Sequence, residues 1–311
     1  MSAAEKKLYW GDRGMRNLSA GARLDMAVLK ARLAARRPGV PHSLFLGLTA
    51  RCDLACRHCK YSGRAGTKDM PRALLRRLLA AAARAGVPRV VFFGGEPLLY
   101  PGLEEAAAFA SRLGLFTELD TNGQTLSPDR ARALAAAGLS CTMISLHSAN
   151  AARHDALSGR GSFARAAAAI RASRAAGLIT YISSCVFSAS LAGKELAGLL
   201  AYARRAGAHG ARLLAYSPPA GRDPLPSRLA GRLARLSPEG YARTCALPGG
   251  GCAATAGDVL YCGPGGEVRR CPYAGAALGN AGRRGLAAFL RPRPATPAPV
   301  FPCQGGRSLL K

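Results

Sequence analysis

The sequence belongs to the α/β class: six strand–helix units forming a partial barrel, followed by a small cysteine-rich β-hairpin and helix domain. Three observations predict this. Between residues 43 and 217, six short apolar runs alternate with alanine- and leucine-rich helical segments, the pattern of parallel strands with helices outside them. After residue 217 the composition turns rich in proline, glycine and arginine. Five of the ten cysteines then fall between 245 and 303. The predicted organisation is a helical lead-in over 1–42, a TIM-like (β/α)6 partial barrel over 43–217, a linker over 218–244 and the cysteine-bearing domain over 245–311. A full eight-unit barrel needs more residues than remain before the composition changes.

Taken in order, the lead-in has Leu24, Ala27, Val28 and Ala31 at helical spacing, ended by Pro38 and Pro41. SLFLGLT (43–49) reads as the first strand, and a long loop leads to a helix starting at Asp69-Met70-Pro71 and running to about Ala85. RVVFFGG (89–95), LFTELDT (115–121), CTMISLH (141–147), LITYISSCVF (178–187) and ARLLAYS (211–217) read as the other five strands. Helices are expected over about 103–113, 127–137 and 190–206, with Ser162 as the cap of an alanine-rich one after the fourth strand.

Composition excludes several classes. Lys+Arg is 44 against 17 Asp+Glu, a formal charge of +27, but 49% hydrophobic residues rule out a disordered polyelectrolyte. No apolar stretch reaches the ~20 residues of a membrane span, and MSAAEKKLYWGDRG has no signal-peptide core. A cytoplasmic chain without a membrane partner is expected. In a reducing compartment, clustered cysteines point to metal ligation or catalysis and not to disulfides. Only seven of the 44 basic residues are lysine. Codon bias accounts for such a charge as readily as an anionic partner does. The arginines are spread over many helices, which argues against nucleic acid.

Cys52, Cys56 and Cys59 follow the first strand with spacing C-x3-C-x2-C, at the sheet edge where α/β active sites collect. Three thiolates can hold three irons of a [4Fe–4S] cube and leave the fourth iron open. Zinc would need a fourth ligand. His58 could supply it only by crowding 56, 58 and 59 on one loop. Cys141 and Cys185 lie in strand patterns and read as core. His42 and His209 read as surface, and His147 as a strand-end histidine.

RCDLACRHC resembles the cluster loop of radical S-adenosylmethionine (radical SAM) enzymes. Gly94-Gly95-Glu96-Pro97 resembles that family's GGEP motif, Thr121-Asn122-Gly123 its TNG, and Ser145-Leu146-His147 its polar fourth-strand end. His154-Asp155 through Gly161-Ser162-Phe163 resembles the segment that introduces the family's next helix. The resemblance implies that Cys52, Cys56 and Cys59 hold the cluster and that Gly94, Gly95, Glu96 and Pro97 lie at the amino group of S-adenosylmethionine. It places His58 by the adenine and Asn122 and Ser145 beside the cofactor. A glycine pair is expected to let the backbone approach the ligand. The implied chemistry is one-electron cleavage of the sulfonium to a 5′-deoxyadenosyl radical that takes hydrogen from a substrate.

CAATAGDVLYCGPGGEVRRCPY (252–273), with Cys245 before it, resembles the opening of SPASM or twitch auxiliary-cluster domains, as does Leu278-Gly279-Asn280 with the helix after it. Thirteen residues separate Cys252 from Gly266, and four separate Gly266 from Cys271. Only Cys303 follows. The resemblance therefore implies one auxiliary [4Fe–4S] cluster at most, from Cys245, Cys252, Cys271 and Cys303, with Cys262 spare. A zinc-stapled or clusterless domain is the alternative.

The expected function is a radical SAM enzyme that modifies a peptide, served by an external one-electron reductant such as flavodoxin or ferredoxin. With about 42 residues before the barrel, no fused leader-binding domain is expected, so a peptide substrate calls for a separate recognition protein. The alternatives are radical oxidation of a small molecule and, in another class, a zinc-stabilised basic nucleic-acid-binding protein. The second leaves GGEP and the three-cysteine loop unexplained, and 6% aromatic residues are few for base stacking.

Overall fold

The computed structural model describes residues 18–59, 68–187, 194–215, 232, 235–237, 241–244, 254, 257–273 and 276–290. Within the lead-in, α1 (Ala20–Ala34) is capped by Ser19, whose Oγ accepts from Ala22 N. Its buried face is Ala22, Met26, Leu29 and Leu33. This corrects the spacing-based face: Leu24 and Val28 are 65% and 41% exposed. The helix carries two overlapping apolar stripes, and the one that packs is chosen by what it meets. Met26 and Leu29 join Phe116, Cys141, Met143, Ile179 and Tyr181, inward-facing residues of three strands.

The six predicted strands form as β1 (Ser43–Thr49), β2 (Arg89–Gly94), β3 (Phe116–Thr121), β4 (Cys141–Ser145), β5 (Ile179–Val186) and β6 (Gly210–Ala215). Consecutive strands pair in parallel. Their connections carry α2 (Arg72–Ala85), α3 (Leu103–Arg112), α4 (Pro128–Ala136), α5 (Ala151–Ser158), α6 (Ser162–Ala175) and α7 (Glu195–Arg205). Outward residues such as Leu44, Leu46, Leu48, Val90 and Phe92 pack under these helices. Inward residues Phe45, Val91, Phe93, Val259 and Tyr261 line one wall of the interior.

Two features enlarge the predicted sheet. β7 (Ala242–Thr244) lies inside the expected linker and pairs in parallel with β6. The cysteine-region hairpin, β8 (Val259–Cys262) and β9 (Glu267–Arg269), joins the same sheet, with β8 parallel to β1. β10 (Gly279–Asn280) follows at the edge, giving the order β10-β9-β8-β1-β2-β3-β4-β5-β6-β7. The hairpin therefore extends the barrel wall on the β1 side. Gly266 turns it at φ +85°, and a Cβ there would meet Asn280 Oδ1 at 2.9 Å. Asn280 in turn caps α8 (Ala281–Arg284) by accepting from Gly282 N.

Three smaller expectations are corrected. Ser162 is the first residue of α6 and not its cap; Gly161 precedes the helix. Asp155 does the capping from α5, accepting from Gly161 N at 2.6 Å and Phe163 N at 2.8 Å. Those donors hold its carboxyl below the usual range. His42 and His209 are buried, not surface. Each ring serves the ends of strands, His42 Nδ1 with Ser43 Oγ and His209 Nδ1 accepting from Thr180 N.

Candidate active site

Parallel strands bring the loops after β1 to β5 to one rim, and the motifs converge there. Cys52, Cys56 and Cys59 follow β1 directly, Cys52 exposed and the other two half-buried. Neighbouring segments hold this loop by its backbone. Gly95 N donates to Thr49 O at 2.8 Å, Glu96 N to Arg51 O at 2.7 Å, and Arg57 N to Leu157 O at 3.0 Å at the end of α5.

The glycine pair brings the β2 turn against the cysteine loop. A Cβ on Gly94 would stand 2.4 Å from Thr49 O, and one on Gly95 2.2 Å from Arg51 O. Only glycine lets the β2 turn press this close, and what it presses against is the cysteine loop. Glu96 is fully buried and makes a knot. Its Oε1 accepts from Leu98 N at 3.0 Å and Thr121 Oγ1 at 2.6 Å, and its Oε2 from Asn122 N at 2.8 Å. The Glu96 carboxylate thus ties the ends of β2 and β3 together. Burial pushes its pKa up to about 7 against the pull of these three donors. Asn122 passes the connection on, with Nδ2 donating to Asp53 Oδ1 at 2.6 Å beside Cys52. Pro97 is buried, whereas Gly94, Gly95 and Ser145 stay partly exposed.

The thiols fit a cluster better than a single ion. A tetrahedral zinc with sulfur at ~2.3 Å needs ligands about 3.8 Å apart. Cys52, Cys56 and Cys59 do not converge within 4.8 Å of one another; among the described residues only His58, His147 and Cys185 do. A [4Fe–4S] cube, with irons at alternate corners, takes the wider spread. Burial pushes the Cys52 thiol up to about 12 and raises that of Cys56, so metal ligation would release their protons.

His58 lies edge-on to His147 at 4.4 Å, and His147 stacks on His154 at 5.5 Å. His147 Nδ1 accepts from Cys185 N at 3.1 Å. Its neutral ring therefore carries hydrogen on Nε2, which leaves no lone pair for a metal without rearrangement. Burial lowers the pKa of His58 and His147, keeping both rings uncharged. These rings form an apolar shelf beside the cysteine loop. Cys185, expected in the core, is half-buried at this shelf instead.

In the second cysteine region, Cys245, Cys252 and Cys303 lie outside the described residues. Cys271 is half-buried, and its Sγ accepts from Tyr273 N at 3.4 Å. Cys262 turns to the opposite face of the hairpin, fully buried in the helix-side core, where burial pushes its pKa up to about 12. Replacing Cys262 with alanine is therefore expected to cost about 1 kcal/mol and leave iron per chain unchanged. Lost iron in that variant would make Cys262 a ligand.

Sequence reasoning passed over Glu118, Asp120, Arg212 and Tyr273, which meet inside the barrel. The available signal was period 2: charged residues at inward positions of otherwise apolar parallel strands.

Residues 46–190 match the sequence model of the Radical SAM superfamily. A "PqqA peptide cyclase" of Gluconobacter oxydans is 34% identical over 174 residues, 55% of this chain and 48% of that protein. An "AdoMet-dependent heme synthase" of Methanosarcina barkeri is 34% identical over 157 residues, 49% of this chain and 44% of that protein. The chain thus spans about half the length of the curated relatives it matches. Streptococcus suis SuiB, solved with S-adenosylmethionine, shares the fold at a TM-score of 0.69 with 19% identity, covering 88% of this chain and 70% of SuiB. SuiB is also solved with its precursor peptide SuiA. Among the described residues no helix is long and apolar enough to cross a membrane.

Proposed function

We propose, on the match of residues 46–190 to the Radical SAM superfamily model, that the chain is a radical SAM enzyme that modifies a peptide. The observation that carries this is the three-cysteine loop, locked to the GGEP and TNG segments through Glu96 and Asn122. In this reading Cys52, Cys56 and Cys59 hold a [4Fe–4S] cluster. When bound, the cluster and S-adenosylmethionine supply a 5′-deoxyadenosyl radical by one-electron cleavage. The chain's own work is positional. His58 and its histidine shelf offer an uncharged surface to the adenine, Gly94 and Gly95 offer backbone, and Asn122 and Ser145 offer polar side chains from neighbouring strand ends.

Peptide modification is favoured by the cyclase relative and by the fold shared with a protein solved on its precursor peptide. The proposal includes an external one-electron reductant such as flavodoxin or ferredoxin, a separate peptide-recognition protein, and one auxiliary [4Fe–4S] cluster from Cys245, Cys252, Cys271 and Cys303. The heme-synthase relative supports small-molecule oxidation as the second reading. The test is anaerobic incubation of the reconstituted chain with S-adenosylmethionine, reductant and the short peptides encoded beside its gene, followed by mass spectrometry. A peptide mass change matched by 5′-deoxyadenosine is expected. Cleavage with every peptide left unchanged would move the assignment to the small-molecule reading.

A further inference from the structure

The barrel interior holds a charged layer that neither the cysteine loop nor the Glu96 knot uses. Arg89 enters it from β2, Glu118 and Asp120 from β3, Cys141 from β4, Ser183 from β5 and Arg212 from β6. Tyr273, with its ring edge-on to Phe93 at 5.7 Å, sits close enough for the charges of Arg212 and Asp120 to act on it. Arg89 is committed: Nε donates to Ser43 Oγ at 2.9 Å and Nη1 to Glu118 Oε2 at 2.7 Å.

Arg212 is committed along one edge only. Its Nη2 donates to Asp120 Oδ2 at 2.6 Å, and Nη2 and Nε reach Ser183 Oγ at 3.3 and 3.4 Å. Nη1 makes no hydrogen bond among the described residues, and Glu118 Oε1 stands 3.7 Å from it. Arg212 is more exposed than the carboxylates it faces, its side chain 22% exposed against 0% for Glu118 and 8% for Asp120.

The two carboxylates explain why that edge keeps its charge. Glu118 Oε1 and Asp120 Oδ1 are buried with no hydrogen-bond partner, yet the two groups lie within hydrogen-bonding reach of each other. Two acceptors cannot satisfy one another, whereas a proton on Asp120 lets it donate to Glu118 and satisfies both. Burial, opposed by Arg212, does hold the Asp120 carboxyl above its ordinary range. With that proton in place, two guanidinium charges face one carboxylate charge, and the layer is left with net positive charge, Arg212 being the more exposed of the two guanidinium groups.

We propose that Arg212 anchors a substrate carboxylate through its Nη1 edge, beside Tyr273. The inference rests on the peptide-modification reading and narrows it to peptides with an acidic side chain or free C-terminus near the modified residue. S-adenosylmethionine also bears a carboxylate, so the test keeps it saturating. N-acetylglutamic acid amide and its isostere N-acetylglutamine amide are titrated calorimetrically into the full, cluster-reconstituted chain.

The acidic probe is expected to bind at least about tenfold more tightly, as a charge-assisted bond predicts. Arg212→Met and the charge-balanced pair Asp120→Asn/Arg212→Met should both lose that preference. Asp120→Asn alone gives Glu118 a permanent N–H donor. It should keep the preference and abolish its decline toward alkaline pH. Equal binding of the two probes, binding of neither, a preference seen only without S-adenosylmethionine, or one that survives in both Met variants overturns the proposal. Failure of the peptide reading shows separately, as unmodified peptides in the mass-spectrometric assay with the probe preference intact.

Discussion

Replacing Cys52, Cys56 and Cys59 together with alanine should remove about four irons per chain and reduce formation of 5′-deoxyadenosine to background. The expectation is this absolute because the loop supplies all three thiols of the site, and of the other described cysteines only Cys185 and Cys271 are not fully buried. Cys141 and Cys262 are buried in the core, and Cys185 lies on the histidine shelf. The fold should survive. Cys52 is exposed, Cys56 and Cys59 are half-buried, and the loop is held mainly through the backbone of Arg51, Arg57 and Thr49. Iron, sulfide and 5′-deoxyadenosine are measured anaerobically, with the urea midpoint of iron-free protein as the folding control. Cleavage persisting in a folded triple variant sinks the site assignment. Loss of the midpoint along with activity would mean that the thiols also bear on folding.

Glu96→Ala is expected to be the most destabilising single change at the site. It leaves Leu98 N, Thr121 Oγ1 and Asn122 N without their buried acceptor. An orphaned buried donor costs about 1–3 kcal/mol, and a broken buried network about 3–5 kcal/mol, a large part of a typical 5–15 kcal/mol. The Asn122–Asp53 contact rests on the same knot, so iron incorporation at Cys52 should fall as well. The pH dependence has a definite sign. A carboxyl raised from 4.5 to about 7 by burial holds its proton more tightly folded than unfolded. Its contribution to stability is thus full below pH 4.5, lost as pH rises toward 7, and constant above. That amounts to about 3 kcal/mol. Glu96→Gln removes this slope at the cost of turning an amide N–H toward one of the donors. Urea midpoints of iron-free protein between about pH 5 and pH 8 decide it: parallel curves for wild type and Glu96→Gln would show that Glu96 stays ionised throughout. Asp120 titrates in the same direction in both proteins, so the difference isolates Glu96.

The site motifs were legible because each is local. C-x3-C-x2-C, GGEP and TNG occupy consecutive residues, and parallel strands place every strand-end loop on one rim whatever the packing details. The errors share a cause. Leu24 and Val28 lie on a helical stripe as regular as the buried one, and only the residues of β3, β4 and β5 beneath α1 choose between them. His42 and His209 stand just before the predicted first and sixth strands and read as surface because the groups they meet, Asp258 and Thr180, lie far along the chain. For Gly94 and Gly95 the structure adds a close neighbour that nothing local announces, the backbone of Thr49 and Arg51, more than forty positions away.

Sequence alone thus determined the class of fold, the order of its six strand–helix units and the three thiols of the cysteine loop. These follow from periodicity and from spacing along one short segment. Tertiary structure alone decided that the C-terminal hairpin extends the barrel by pairing β8 with β1, that Cys262 faces away from Cys271, and that Glu96 is a knot. It also decided that Arg212 Nη1 has an ion-pair contact with Glu118 Oε1 at 3.7 Å but no hydrogen bond among the described residues. Each of these depends on which distant strand supplies a neighbour, because burial and hydrogen-bond partnership belong to pairs of residues that the chain brings together only on folding.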